Sequence, residues 1–349
     1  MSEDVYQEAQ PQTSEKGRES VVAAESPSVS ADRLVEQLVA QERQRRTKQL
    51  RIAPRLEALI LLLVFAAGLG SGYVLRGRVP AAQTQRAAAA AEALAKQVNP
   101  PEGFKLPATY GDIGPQLLRT GAIDDAKFVE VYQKSRSPLS DEQLGILRQN
   151  TQAPIVINQK NAYFMLNFFW ALGLVNKNPL LEQGQMTANG RENVGNFAST
   201  GGWTIGAKAA TELYSSAEIV KLTPEQQARL EEVANNAYRP CCGNPTSFPD
   251  CNHGMALLGL LELMASQGAT VDQMFTAAKQ VNAFWFPDQT LELATYFKAI
   301  EGKDFKAVDA RRIVGKDFMS ASGFQATHSA LASKGLLPQA PSSGQSCGV

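Results

Sequence analysis

The sequence predicts one membrane-spanning helix near the N-terminus, followed by an all-α domain that lies outside the cytoplasm. Three observations lead to this prediction. Residues 58–75 are apolar and carry no charge, and the only short β-like run is PIVI at residues 154–157. In addition, three later segments begin with the sequence pattern of a helix-capping box. Helix signals therefore dominate the chain after the apolar segment.

Residues 1–55 are predicted to be cytoplasmic. Residues 1–30 are rich in Ser, Glu, Gln, Ala and Pro, so they bury too little apolar surface to offset chain entropy and are expected to be disordered. Four aliphatic residues then recur at helical spacing, namely Leu34, Val35, Leu38 and Val39. They predict a basic amphipathic helix, which is either solvated or lies on the membrane surface or against a partner.

Residues 56–76 are predicted to form the membrane-spanning helix, because their uncharged core is near the minimum length for a span. The flanking basic residues are unevenly distributed: Arg43, Arg45, Arg46, Lys48, Arg51 and Arg55 precede the helix, whereas Arg76, Arg78 and Arg86 follow it. By the positive-inside rule, the N-terminus is cytoplasmic and the rest of the chain lies outside. We therefore expect a single-pass type II protein of the cell membrane.

Gly68 and Gly72 form a GxxxG pattern within this helix. The pattern permits close backbone approach and so predicts a homodimer through the helix. The alternative is that a membrane helix simply tolerates these glycines. A membrane-protein partner is a further expectation for a chain that is anchored in this way.

Residues 77–99 are predicted to form a helical stalk, because the run AAAAAEALAK has high helix propensity and two prolines follow it. The all-α domain is predicted to span residues 100–336. Its capping boxes are Ser140–Gln143, Thr223–Gln226 and Thr270–Gln273. Residues 161–175 and 255–265 are apolar on nearly every side, which predicts buried core helices. Pro287 interrupts another apolar stretch.

Composition limits the possible chemistry. The chain has 34 basic and 34 acidic residues, so its formal net charge of zero gives no electrostatic basis for binding nucleic acid. It contains only 2 His and 4 Cys, so any metal or thiol site must use most of them. The fourth cysteine, Cys347, lies in a tail at residues 337–349 that is predicted to be flexible.

The scarce residues converge on one loop with the spacing C-C-x8-C-x-H, formed by Cys241, Cys242, Cys251 and His253. We expect Asn252 to cap the apolar helix that follows. Cys251 and His253 would then lie at the positive end of that helix, where a thiolate is favoured. Asp250 and Asn252 are the expected neighbours that support these four residues.

Three interpretations of this loop remain open. In the first, the cysteines form disulfides with each other and with Cys347 and stabilise a structural or interaction module without metal. In the second, Cys241, Cys242, Cys251 and His253 bind a thiophilic ion, copper or zinc. In the third, Cys251 has a low pKa and acts as a nucleophile or redox centre beside Asp250 and His253. Cys347 would serve either as a disulfide partner or as a mobile thiol.

The segment CCGNPTSFPDCNHG, with the helix sequence MALLGLLELMASQG after it, resembles a family of uncharacterised bacterial membrane-anchored proteins. The resemblance extends through the whole outer part of the chain to the terminal SCGV. It implies that the chain is a member of that family and is anchored in a membrane. Because no activity is attached to that family, the resemblance implies no reaction.

Two further ionisable residues stand out. Glu262 lies within the apolar helix and is expected to pair with a basic residue, to face solvent or, if buried, to have a raised pKa. His328 is expected to be an ordinary hydrogen-bonded histidine rather than a ligand.

Overall fold

The structure is a computed structural model that describes residues 81–338. The predicted segments 1–55 and 56–76, including Gly68 and Gly72, lie outside the described residues, as does Cys347. Among the helices within residues 81–338, none is long and apolar enough to cross a membrane.

The described part of the chain is mainly helical, as the sequence predicts. The helices and strands are α1 (Ala81–Val98), β1 (Phe104–Gly111), α2 (Ile113–Thr120), α3 (Asp125–Lys134), α4 (Asp141–Arg148), β2 (Thr151–Ile157), α5 (Ala162–Val175), α6 (Pro179–Glu182), α7 (Ala198–Gly201), α8 (Ala210–Leu213), α9 (Pro224–Asn236), α10 (Asn252–Ser266), α11 (Val271–Trp285), α12 (Pro287–Glu301), α13 (Ala310–Ile313), α14 (Lys316–Met319) and α15 (Ala321–Ser333). Short 3₁₀ turns occur at Gln185–Thr187, Arg191–Asn196 and Phe305–Ala307.

Within the described residues, β1 and β2 form a two-stranded antiparallel sheet that qualifies the all-α prediction. The β-like run at 154–157 is confirmed as part of β2, whereas β1 was not predicted. Phe104 pairs with Ile157 and Gly111 with Thr151, with irregular register between these ends. Pro107 lies within β1, and proline is unusual in strands because it cannot donate a ladder hydrogen bond.

All three predicted capping boxes are confirmed. In each, the side chain of the first residue accepts a hydrogen bond from the backbone of the third helical residue, whose own side chain accepts a hydrogen bond in return. They begin α4, α9 and α11, and Pro224 occupies the first position of α9. A cap of this kind stabilises a helix by about 1 kcal/mol, so these local signals fix where the helices start.

The centre of the core is the pair α5 and α10, which are buried along almost their whole lengths. Their backbones meet at two glycines: a methyl group on Gly173 would lie 2.1 Å from the Met255 carbonyl oxygen, and one on Gly259 would lie 2.5 Å from the Phe169 carbonyl oxygen. Only glycine permits this approach. The contact fixes α10, and with it the loop that precedes α10.

The predicted interruption at Pro287 is confirmed as the boundary between α11 and α12. Phe286 is the turning residue, and Pro287 starts the next helix, a position where its missing N–H is not needed. The indole N–H of Trp285 donates to the carbonyl oxygen of Ala162 over 3.1 Å. This bond holds the turn next to the start of α5.

Candidate metal centre

The loop between α9 and α10 is held in place by backbone hydrogen bonds on several sides. The Thr246 N–H donates to Ala237 (2.9 Å), the Ala321 N–H donates to the Cys242 carbonyl (2.9 Å), and the Ser199 N–H donates to the Asp250 carbonyl (3.1 Å). Phe248 packs edge to face against Phe197, with ring centres 5.5 Å apart. The loop is therefore joined to α7, α9 and α15.

Arg239 is the organising residue of this loop, and its side chain is fully buried. Its Nε donates to the Cys251 sulfur over 3.0 Å, and its Nη1 donates to the Asn244 carbonyl over 3.0 Å. Its Nη2 donates both to the Phe248 carbonyl over 3.1 Å and to the Asp250 carboxylate. Four directed bonds thus fix one cation in the middle of the loop, and Asp250 is its ion-pair partner.

Gly254 makes room for that cation. A methyl group there would lie 2.4 Å from the Arg239 guanidinium carbon, so any larger residue would push the guanidinium out of its bonds. Neither Arg239 nor Gly254 was predicted from the sequence to have a role. An arginine is usually exposed, and nothing local in the sequence distinguishes this one.

Cys251, rather than Asn252, caps α10, so the predicted cap is wrong by one residue. The Cys251 sulfur accepts the Gly254 N–H over 3.4 Å, while the Asn252 side chain accepts the His253 N–H over 2.8 Å. The neighbouring Cys241 and Cys242 thiols, together with the Arg239 charge, hold the pKa of Cys251 well below its ordinary value although burial opposes this. Of the three cysteines of the loop, Cys251 is therefore the one whose surroundings most favour a thiolate.

His253 lies in the first turn of α10, with only 4% of its surface exposed. Its ring packs against Phe286 at 4.4 Å and Trp285 at 5.8 Å between ring centres. Burial lowers the pKa of His253 to about 4, so the imidazole is neutral at pH 7. Within residues 81–338 its ring nitrogens form no hydrogen bond, and a neutral imidazole offers a nitrogen lone pair to a metal.

The donor atoms fall into two groups that share Cys251 and that could each hold a metal ion. One contains Cys241, Cys251 and His253, and the other contains Cys242, Asp250 and Cys251; within each group the donor atoms lie within 4.8 Å of one another. The Cys241 and Cys251 sulfurs are 3.5 Å apart. Sulfurs that ligate one tetrahedral zinc lie about 3.8 Å apart, given Zn–S bonds of about 2.3 Å.

Arg239 distinguishes the two groups. Its guanidinium already contacts Cys251 and Asp250, which are two of the three members of the second group. The third member, Cys242, has its sulfur 3.6 Å from the Asp250 Oδ1 atom. A metal ion there would have two of its three donors bound to a fixed positive charge, whereas in the first group Arg239 is hydrogen-bonded to Cys251 alone.

The three cysteines of the loop form no disulfide with one another; Cys241 is exposed, and Cys242 and Cys251 are half-buried. A disulfide with Cys347 concerns a residue outside the described part of the chain. Comparison of the chain with protein-family models, with curated proteins and with solved structures gives no match.

The two other ionisable residues that stand out in the sequence, His328 and Glu262, belong to neither donor group. His328 is hydrogen-bonded to Glu292 through Nδ1 at 2.7 Å, as expected for an ordinary histidine. Glu262 is completely buried, and neither of its carboxyl oxygens has a hydrogen-bond partner of good geometry. Burial raises the pKa of Glu262 well above its usual value, and the side chains of Asn176 and Asn178 compensate only in part.

Proposed function

We propose that the protein binds one thiophilic metal ion, Cu(I) or Zn(II), through Cys241, Cys251 and His253. The observation that supports this most strongly is a neutral, buried imidazole without a hydrogen-bond partner among the described residues, whose nitrogen lies within 4.8 Å of two cysteine sulfurs. Two soft sulfurs and one imidazole nitrogen are the donor types that zinc and cuprous ions prefer.

The charge balance of the loop supports an ion of low charge. The Arg239 and Asp250 charges cancel within their ion pair. Two thiolates and a neutral imidazole would then be neutralised by Zn(II) and would carry one negative charge with Cu(I). A hard ion such as Mg²⁺ prefers oxygen donors and would not be held by this set.

The three donors differ in their access to solvent. Cys241 is exposed, whereas His253 is buried. An ion would therefore enter and leave past Cys241, while His253, in the first turn of α10, would bind it on the buried side. Cys242 remains available as a fourth donor for zinc if its side chain turns away from Asp250, from which it is 3.6 Å distant.

The proposed setting is the outer face of a cell membrane. It rests on the apolar segment at 56–76 and on the excess of basic residues that precede it. The partners proposed with it are the membrane itself and a second copy of the chain through Gly68 and Gly72. A metal-binding domain held there would meet ions before they enter the cell.

The test is a titration of the full-length protein, purified without oxygen, with Zn(II) or Cu(I) in competition with a chelator of known affinity. We expect one ion per chain. Because replacement of a supporting residue already costs 10- to 100-fold in affinity, Cys241→Ser, Cys251→Ser and His253→Ala should each cost at least about 100-fold. Cys242→Ser should cost less than these three.

His328→Ala is the matched control, because His328 is paired with Glu292 outside the loop. It should leave affinity unchanged. If His253→Ala binds the ion as tightly as the His328→Ala control does, the proposed site is wrong. If no ion binds and the wild-type chain contains no thiols, the disulfide-stabilised module is the better account.

A further inference from the structure

The Cys241 and Cys251 sulfurs form a pair that is arranged for oxidation. They are 3.5 Å apart, whereas a disulfide bond is about 2.05 Å long. A movement of about 1.5 Å would therefore join them, given that bond length. Cys241 is exposed and follows Pro240 in the loop, so the movement needs no rearrangement of the core.

The two sulfurs have different roles because their surroundings differ. Cys251 accepts hydrogen bonds from the Arg239 Nε (3.0 Å) and from the Gly254 N–H (3.4 Å), and both donors favour a thiolate there. Arg239 is held by its other bonds and by contact with Gly254, so its charge stays at the sulfur. Cys241 lies on the open side and is available as a second thiol.

Cys242 is adjacent to Cys241 in sequence but is directed elsewhere. Its sulfur contacts the Asp250 carboxylate at 3.6 Å and the Asn244 carbonyl at 4.0 Å. The geometry therefore favours Cys241 over Cys242 as the partner of Cys251.

We propose that Cys251 reacts with peroxides and that Cys241 resolves the product, so that oxidation closes the site into a Cys241–Cys251 disulfide that releases the metal ion. The release step rests on the proposed function, while the disulfide step does not.

The chemistry takes place in two balanced steps. The Cys251 thiolate attacks one oxygen of hydrogen peroxide, the O–O bond breaks, and Cys251 sulfenic acid and hydroxide form. The Cys241 thiol then attacks the Cys251 sulfur, the S–O bond breaks, and the disulfide and one water molecule form. Peroxide is the oxidant, and the two thiols together supply two electrons.

The disulfide removes the metal site because it converts two anionic donors into neutral sulfurs that bind metals poorly. Only His253 would remain of the three donors, and one imidazole does not retain a metal ion. Reduction of the disulfide by an external thiol would restore the site. Occupancy would thus depend on the redox state of the surroundings.

The test treats the metal-free, full-length protein with one equivalent of hydrogen peroxide, alkylates the remaining thiols and maps them by peptide mass spectrometry. We expect a peptide in which Cys241 is linked to Cys251, with a loss of two hydrogens per chain and with Cys242 alkylated. Cys242→Ser and Cys347→Ser should give the same link. Cys241→Ser should stop at a Cys251 sulfenic acid that dimedone traps.

A link from Cys251 to Cys242 or Cys347, or a Cys251 that stays alkylatable, would overturn the proposal. The second part of the test adds peroxide to the zinc-loaded protein and follows zinc release with a coloured chelator; zinc that stays bound after the disulfide has formed would overturn the switch. If no zinc binds to begin with but the Cys241–Cys251 link forms, the proposed metal function fails, and with it the release step, while the disulfide step holds.

Discussion

Replacement of Arg239 should destabilise the domain far more than replacement of an arginine at the surface. Arg239→Met keeps a long side chain but removes four hydrogen bonds, including the ion pair with Asp250. Loss of one partner from a buried ion pair costs about 3–5 kcal/mol. Because the Asp250 side chain remains 22% exposed, water can partly solvate it, and we expect about 3 kcal/mol, the lower end of that range.

Arg148→Met is the matched control. Arg148 pairs with Asp125 at 3.1 Å, but both side chains are nearly half exposed, at 45% and 44%. An exposed ion pair contributes no more than about 1 kcal/mol. Because the substitution is the same in both variants, the difference between their losses in free energy of unfolding measures the effect of burying the guanidinium.

The assay is urea unfolding of the metal-free, full-length protein followed by tryptophan fluorescence. All three tryptophans, Trp170, Trp203 and Trp285, lie in the described domain, so the signal reports on this domain alone. If Arg239→Met lowers the free energy of unfolding by no more than Arg148→Met does, the guanidinium does not organise the loop. Arg239→Lys keeps the charge and should recover part of the loss.

Three further outcomes are expected. Because the folded protein retains the Glu262 proton above the ordinary glutamate pKa, the contribution of Glu262 to the free energy of unfolding should fall as pH rises from about 4.5, while the lowered pKa of His253 acts in the opposite direction below about pH 6.5. The urea midpoint of the wild type minus that of Glu262→Gln should therefore fall between pH 5 and 8, whereas the same difference for Glu218→Gln, at an exposed residue, should stay constant. In the same unfolding assay, Gly259→Ala should lower the free energy of unfolding by about 1–3 kcal/mol through overpacking. Gly145→Ala, whose added methyl group would meet open space, should instead raise it by up to about 1 kcal/mol. A reporter fused after Val349 should be active only outside the cytoplasm, and cytoplasmic activity would contradict the orientation.

Local signals made much of the fold predictable. Capping boxes such as the one at Thr223 act within one helical turn, and the apolar run at 161–175 can only be stable when buried. The pairing of β1 with β2 was missed because it joins segments that are separated by three helices. Pro107 also makes β1 look unlike a strand, although Leu106, Ala108 and Tyr110 alternate towards the core.

The candidate site was predictable as a cluster but not in its internal arrangement. Four Cys and two His in 349 residues made the grouping at 241–253 conspicuous. Cys241 and Cys242 belong to different donor groups because their side chains point in different directions. Sequence spacing does not determine those directions. The role of Arg239 depends on how residues 244–254 fold around its guanidinium, so no property of its immediate neighbours in sequence could predict it.

The most direct test of the metal centre is X-ray absorption spectroscopy of the full-length protein loaded with one equivalent of zinc or cuprous ion. For zinc, we expect two sulfur ligands at about 2.3 Å and one imidazole nitrogen at about 2.0 Å. Any further zinc ligand should be either water or the Cys242 sulfur, and Cys242→Ser distinguishes the two. A spectrum without an imidazole ligand, or one unchanged in His253→Ala, would contradict a site built from Cys241, Cys251 and His253.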